Sequence, residues 1–165
     1  MSADLLQSTV REHLTKHGLN FEVLPCDESL ADTAAFCEHY GYTAEQSANT
    51  ILVAAKNEPE KMCACVVLAN TKLDVNKAVC KQLGVKRASF ASADQTREIT
   101  GMEIGGVTVF GLPESMPVYM DAAVLNQEKV IMGGGNRTSK VVLNPHELTK
   151  LPHVHVVENL AKPRS

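Results

Sequence analysis

Asn49-Thr-Ile-Leu-Val-Ala-Ala-Lys-Asn-Glu-Pro-Glu-Lys-Met-Cys-Ala-Cys-Val-Val-Leu-Ala69 reads as two apolar runs, residues 49–55 and 62–69, joined by a polar, hairpin-like connection at 56–61. Both runs are rich in Val, Ile, Leu and Cys, which places the pair at the centre of a sheet.

Upstream, residues 3–17 set Leu5, Val10 and Leu14 among polar neighbours and are followed by Gly18, the pattern of a helix with a left-handed C-terminal residue. Phe21-Glu-Val-Leu-Pro25 alternates as a short strand, and residues 31–40, ended by Gly41, read as a second helix. Thr43-Ala-Glu-Gln46 has the spacing of a capping box, as does Ser92-Ala-Asp-Gln95 before a helix ending at Gly101. Between them, residues 74–83 place Val75, Val79 and Leu83 near one helical face, with Gly84 as the stop. Downstream, Val118-Tyr-Met reads as a strand, 121–126 as a short helix, and 129–132 and 140–143 as strands. Asn144-Pro-His-Glu147 opens a last helix, residues 153–157 alternate as a closing strand, and 162–165 read as a frayed tail. Without an internal repeat or linker, this order predicts one mixed α+β domain over residues 1–165.

Composition narrows the function classes. A chain of 165 residues that is 44% hydrophobic can bury about two-thirds of its unfolded surface and needs no covalent staples. Five cysteines without framework spacing read as reduced thiols of a cytoplasmic protein, and Cys63 and Cys65 read as small buried hydrophobes. There is no leader pattern and no apolar stretch long enough for a bilayer, so no membrane association is expected. A net charge of −3 argues against coating nucleic acid and confines any RNA contact to a focal patch.

Two glycine-rich segments carry the remaining signal: Ile104-Gly-Gly-Val-Thr-Val-Phe-Gly-Leu-Pro113 and Met132-Gly-Gly-Gly-Asn-Arg137. Such clusters mark either tight turns or walls where a ligand approaches the main chain. They lack the order of a dinucleotide fingerprint, and no P-loop is present. His153 and His155 alternate near His146, but without a further acid or Cys at ligand spacing they indicate no metal site. No nucleophile-elbow pattern supports a Ser–His–Asp triad, and no cofactor is implied.

Five pieces in order, Ser47-Ala-Asn-Thr-Ile-Leu-Val53, Cys65-Val-Val-Leu-Ala69, Leu73-Asp-Val-Asn-Lys-Ala78, the 104–111 segment and Gly133-Gly-Gly-Asn-Arg137, resemble the YbaK/prolyl-tRNA-synthetase-associated editing-domain family. The resemblance covers nearly the whole chain. It implies a compact α+β domain around a mixed, partly barrel-like sheet, and hydrolysis in trans of the ester of a mischarged tRNA. The implied partners are a tRNA acceptor end and, in some settings, an aminoacyl-tRNA synthetase. An alternative use of the same pocket is a non-catalytic module that binds a tRNA end, a nucleotide or a synthetase.

The resemblance places Asn49 where the family has a lysine, close to the substrate's terminal nucleotide, and Val109 where it often has proline. Asn49 can donate and accept hydrogen bonds but supplies no cation. Lys56, Lys72, Lys77 and Arg137 are candidates for the missing charge, or are solvated surface cations. Asn49 and Thr108 are the candidate catalytic groups, with the Thr108 hydroxyl holding a water or the amino acid, or bonding adjacent backbone. Thr50, Gly105, Gly106, Val107, Val109, Phe110, Gly133, Gly134, Gly135, Asn136 and Arg137 are the candidate substrate-binding set. Arg137 has the planar fork to clamp a phosphate and is otherwise a turn residue; Phe110 is pocket wall or core.

Overall fold

In the computed structural model, residues 6–58, 60–103 and 105–163 are described. Strands β2 (Ala48–Ala55) and β3 (Met62–Leu68) form the expected antiparallel pair, with Ile51 opposite Cys65. They are two of the three inner strands of a five-stranded sheet in the order β5-β2-β3-β6-β9, where β5 is Ala88–Phe90, β6 Val118–Asp121 and β9 Val154–Val157. β6 runs parallel to both β3 and β9, so this sheet is mixed. A second, antiparallel sheet takes the order β1-β8-β7, from Glu22–Pro25, Ser139–Leu143 and Val130–Gly133. A parallel bridge between Ser47 and Ile131 joins the two sheets where β2 meets β7. They meet there without closing into a barrel among the described residues.

The unbroken apolar reading of β2 and β3 has a direct physical cause. Side chains alternate across a strand, and both faces of this one are covered. Leu52, Ala54, Ala64 and Val66 face the main core, with Val10 and Leu14 of α1 (Ser8–Lys16), Val130 and Met132 of β7, and Val141 and Leu143 of β8. Val53, Cys63, Cys65 and Val67 face a second core built with Leu73, Val79 and Leu160. A third, small cluster of Cys26, Ala31, Phe36, Ile131 and Val142 lies beside the β1–β8–β7 sheet.

Local chemistry sets the helix ends. α2 (Thr33–Tyr40) stops at Gly41, which is left-handed with φ 78°. Both capping boxes form: the Thr43 amide donates to Gln46 Oε1 at 3.0 Å and the Ser92 amide to Gln95 Oε1 at 2.9 Å. The second opens α4 (Ala93–Thr100), closed by left-handed Gly101. The helix expected over 74–83 is split: Val75–Val79 forms one wide turn, begun by Asp74 Oδ1 accepting from the Lys77 amide, before α3 (Cys80–Leu83). The helices expected at 121–126 and after Asn144 are tight 3₁₀ segments, Ala122–Asn126 and Pro145–Lys150.

One terminal expectation is corrected. Lys162 and Pro163 are not frayed: β10 (Ala161–Pro163) pairs antiparallel with β4 (Thr71–Leu73), and Asp121 Oδ1 accepts from the Leu160 amide at 3.2 Å just ahead of it. The first helix begins at Ser8, capped by Gln7, and residues 3–5 of its expected span and residues 164–165 of the tail lie outside the described residues.

Candidate active site

The two glycine segments touch one another. The Gly135 amide donates to the Gly106 carbonyl at 2.7 Å, and the Glu103 amide to the Gly135 carbonyl at 3.1 Å. A Cβ on Gly106 would collide with the Asn136 backbone, and one on Gly133 with the carbonyls of Gly106 and Val107. The close approach that demands glycine here is therefore largely backbone on backbone. The segments lie side by side as one wall.

That wall borders a cavity of about 320 Å³. Asn49 and Thr50 of β2 line one side, and Gly105, Val107 and Gly133 another. Ile51, Leu52, Ala91, Ile131 and Met132 make the apolar lining. Thr50 Oγ1 is buried and has no hydrogen-bond partner in the protein. A buried hydroxyl left without a partner beside a cavity is a candidate contact for a water or a ligand.

The cation of the site is Lys140, on β8. It is 6% exposed, and its Nζ donates to the carbonyls of Ala31 at 2.6 Å and Gly105 at 2.7 Å. The ammonium lies 5.5 Å from the centre of the Phe36 ring, within range of a cation–π attraction. Gly133 stands directly across the ladder from Lys140. Burial pushes the Lys140 pKa below the ordinary lysine value, with Cys26 and Asp32 acting in the opposite sense. An ammonium has three N–H donors, so one is left beyond the two carbonyls, on a residue that lines the cavity.

Lys140 was not among the sequence candidates for the missing charge. Lys56 and Lys72 line a separate cavity, and Lys77 is exposed on the wide turn after β4. Arg137 does not line the site cavity; its Nε donates to the Glu28 carbonyl at 3.0 Å and its Nη1 pairs with Asp32 at 3.3 Å. Asn136 Oδ1 accepts from the Thr138 amide and the Ser139 hydroxyl, holding the turn into β8. Gly106, Gly134 and Gly135 are buried within the wall and do not line the cavity. Val109 and Phe110 sit in the main core. Thr108 is fully buried away from the cavity lining, its hydroxyl without a partner.

Sequence reasoning also passed over Asp32, Phe36, Ser47 and Thr96 of the lining. The available signal for Lys140 was a cation in a strand whose other residues are apolar or small, Ser139-Lys-Val-Val-Leu143, all buried in the fold. Among the described lining residues there is no histidine or cysteine, so no nucleophile–base pair of the Ser–His or Cys–His kind stands in the cavity. Cys63 and Cys65 lie in the second core, where their mutual contact and burial raise the Cys65 thiol pKa far above its ordinary value. His153 packs 6.3 Å from His13 and His155 5.9 Å from Tyr119, ring centre to ring centre.

Fold and cavity together define a mixed α/β protein with a glycine-walled, lysine-bearing cavity. The chain belongs to the aminoacyl-tRNA editing domain family, whose model matches residues 27–151. It is 30% identical over 142 residues to the uncharacterized protein YwhH of Bacillus subtilis, covering 86% of this chain and 88% of that one. Two solved structures share the fold. The hypothetical protein APE2540 superposes with a TM-score of 0.83 at 23% identity, over 93% of this chain and 99% of the other. A proposed trans-editing enzyme for prolyl-tRNA synthetase gives 0.79 at 22% identity, over 96% and 99%. No helix among the described residues is long and apolar enough to cross a membrane.

Proposed function

We propose that the chain is a trans-acting aminoacyl-tRNA deacylase whose cavity takes the aminoacyl ester and whose Lys140 supplies the cation that Asn49 does not. The observation that carries this reading is the buried Lys140 ammonium, fixed by the Ala31 and Gly105 carbonyls with a donor left over, on a residue that lines the cavity. An aminoacyl ester is already activated, so its hydrolysis calls for an oriented water and a preorganised donor for the developing oxyanion. Water adds to the ester carbonyl carbon and gives up a proton, the negative charge on the carbonyl oxygen is met by Lys140, and the C–O bond to the ribose breaks as the ribose oxygen takes that proton. Asn49 and Thr50 both line the cavity, which supports assigning them to the water or the α-amino group.

The cavity volume is at the small end for ligand sites, which favours a small amino-acid side chain over a large one. The partner is a tRNA acceptor end, met in a focal contact. The test is deacylation of a panel of mischarged tRNAs, including tRNA(Pro) carrying Ala or Cys. Wild type should release at least one amino acid well above the uncatalysed rate, and Lys140→Met should lower that rate by about 10²–10³. Activity on no member of the panel, with binding retained, would replace this reading with the non-catalytic one.

A further inference from the structure

The cavity reaches the edge of the five-stranded sheet. Ala91 lines it, yet the preceding residue, Phe90 of edge strand β5, turns to the other face and is 58% exposed, the most exposed large apolar side chain among the described residues. Phe90 borders a second, larger cavity of about 610 Å³ between β4, β5 and β10. Lys56, Lys72 and Lys162 line it, with Asp74 as its single carboxylate. Lys86 and Arg87 adjoin it, brought beside Lys56 where the Lys56 amide donates to the Arg87 carbonyl at 3.0 Å.

Five cations thus gather on one surface of a chain whose net charge is −3. Lys162 has a weak partner in Asp74 at 3.9 Å; Lys56, Lys72, Lys86 and Arg87 have no carboxylate partner among the described residues. Lys72 and Lys162 stand directly opposite each other in the β4–β10 ladder, an arrangement of like charges that costs stability. An exposed aromatic ring amid unpaired cations is the combination that holds single-stranded nucleic acid, by stacking a base and tracking phosphates.

Resting on the deacylase reading, we propose that this β4–β5–β10 surface binds the single-stranded 3′ end of an RNA. A base stacks on Phe90, phosphates lie along Lys56, Lys72, Lys86, Arg87 and Lys162, and the strand bends around edge strand β5 so that its terminal nucleotide reaches the cavity on the other face. The surface thereby selects an unpaired end over a duplex, because only a flexible strand can round the sheet edge.

The test is fluorescence anisotropy with a labelled, uncharged RNA ending in an unpaired CCA, against a blunt duplex of the same composition. Wild type should favour the unpaired end. Phe90→Ala should weaken binding roughly tenfold, with Phe90→Trp restoring it, and Lys72→Ala with Lys162→Ala should reduce the salt slope by about 1.4. Both sets of variants should hydrolyse an aminoacyl-adenosine, which fills only the cavity, at the wild-type rate. Equal binding of duplex and unpaired RNA, or unchanged binding by the variants, overturns the proposal, including the case in which the variants lose only a protein partner. Failure of wild type to hydrolyse the small ester overturns the deacylase reading instead, while the RNA measurement still decides the surface.

Discussion

The Gly135 amide and the Gly106 carbonyl, 2.7 Å apart, tie the two glycine segments into a single wall. Gly106→Ala would press a methyl into the Asn136 backbone, which has no flexible end to move aside. We expect a loss of at least about 2 kcal/mol. Gly101→Ala meets no atom within 4 Å and bears only the strain of its left-handed backbone, φ 71°, so its cost should be smaller, about 1 kcal/mol. Urea unfolding of the two variants checks the order.

Thr50 separates stability from function. Its hydroxyl is buried without a protein partner, so Thr50→Val, nearly the same shape, should leave the melting temperature unchanged or raise it. If that hydroxyl serves the ester or its water, deacylation by the same variant should fall about tenfold, a loss near 1.4 kcal/mol. Thermal unfolding and single-turnover deacylation, measured side by side, decide it.

Val107 is a half-buried part of the cavity wall. Shortening it to alanine should admit a larger amino acid, and discrimination per methylene of about 1–3 kcal/mol translates into a shift of tenfold or more between adjacent members of a side-chain series. The readout is the ratio of kcat/KM for two mischarged tRNAs differing by one methylene.

Acid should destabilise the protein through His13. Burial, then the neighbouring His17, His153 and Lys16, lower its pKa from 6.5 to about 4, against an opposing pull from Glu114. The unfolded chain takes up this proton below pH 6.5 while the folded one resists it, so the contribution is complete above pH 6.5 and is lost as pH falls toward about 4. His13→Leu should flatten that limb of a stability–pH curve measured by denaturant unfolding.

How much was legible in the sequence follows from where each signal was local. Helix ends at Gly41 and Gly101, both capping boxes and the β2–β3 pair are fixed by neighbours a few residues apart, and they stand where the pattern placed them. β4, β5 and β10 are three-residue strands held by partners far along the chain, too short to show periodicity. Lys140 was passed over for the same reason: its role depends on Ala31 and Gly105, 109 and 35 residues away. Order along the chain found the glycine wall and the Asn49 strand, but only the fold distinguishes Val107, on the cavity, from Val109, two residues on and in the core.

Because alternate residues of β3 belong to different cores, the strand acts as a partition between two largely separate selective regimes. Ala64 and Val66 share their core with Leu52 and Met132 of the cavity wall, so their volumes are bound to the ligand's. Cys63, Cys65 and Val67 pack with Leu73, Val79 and Leu160, and reach the cavity through Ile51, which packs on this core and also lines the cavity. The far side can be rebuilt, for oxidation resistance by replacing both thiols for instance, without altering the cavity wherever the packing of Ile51 is kept.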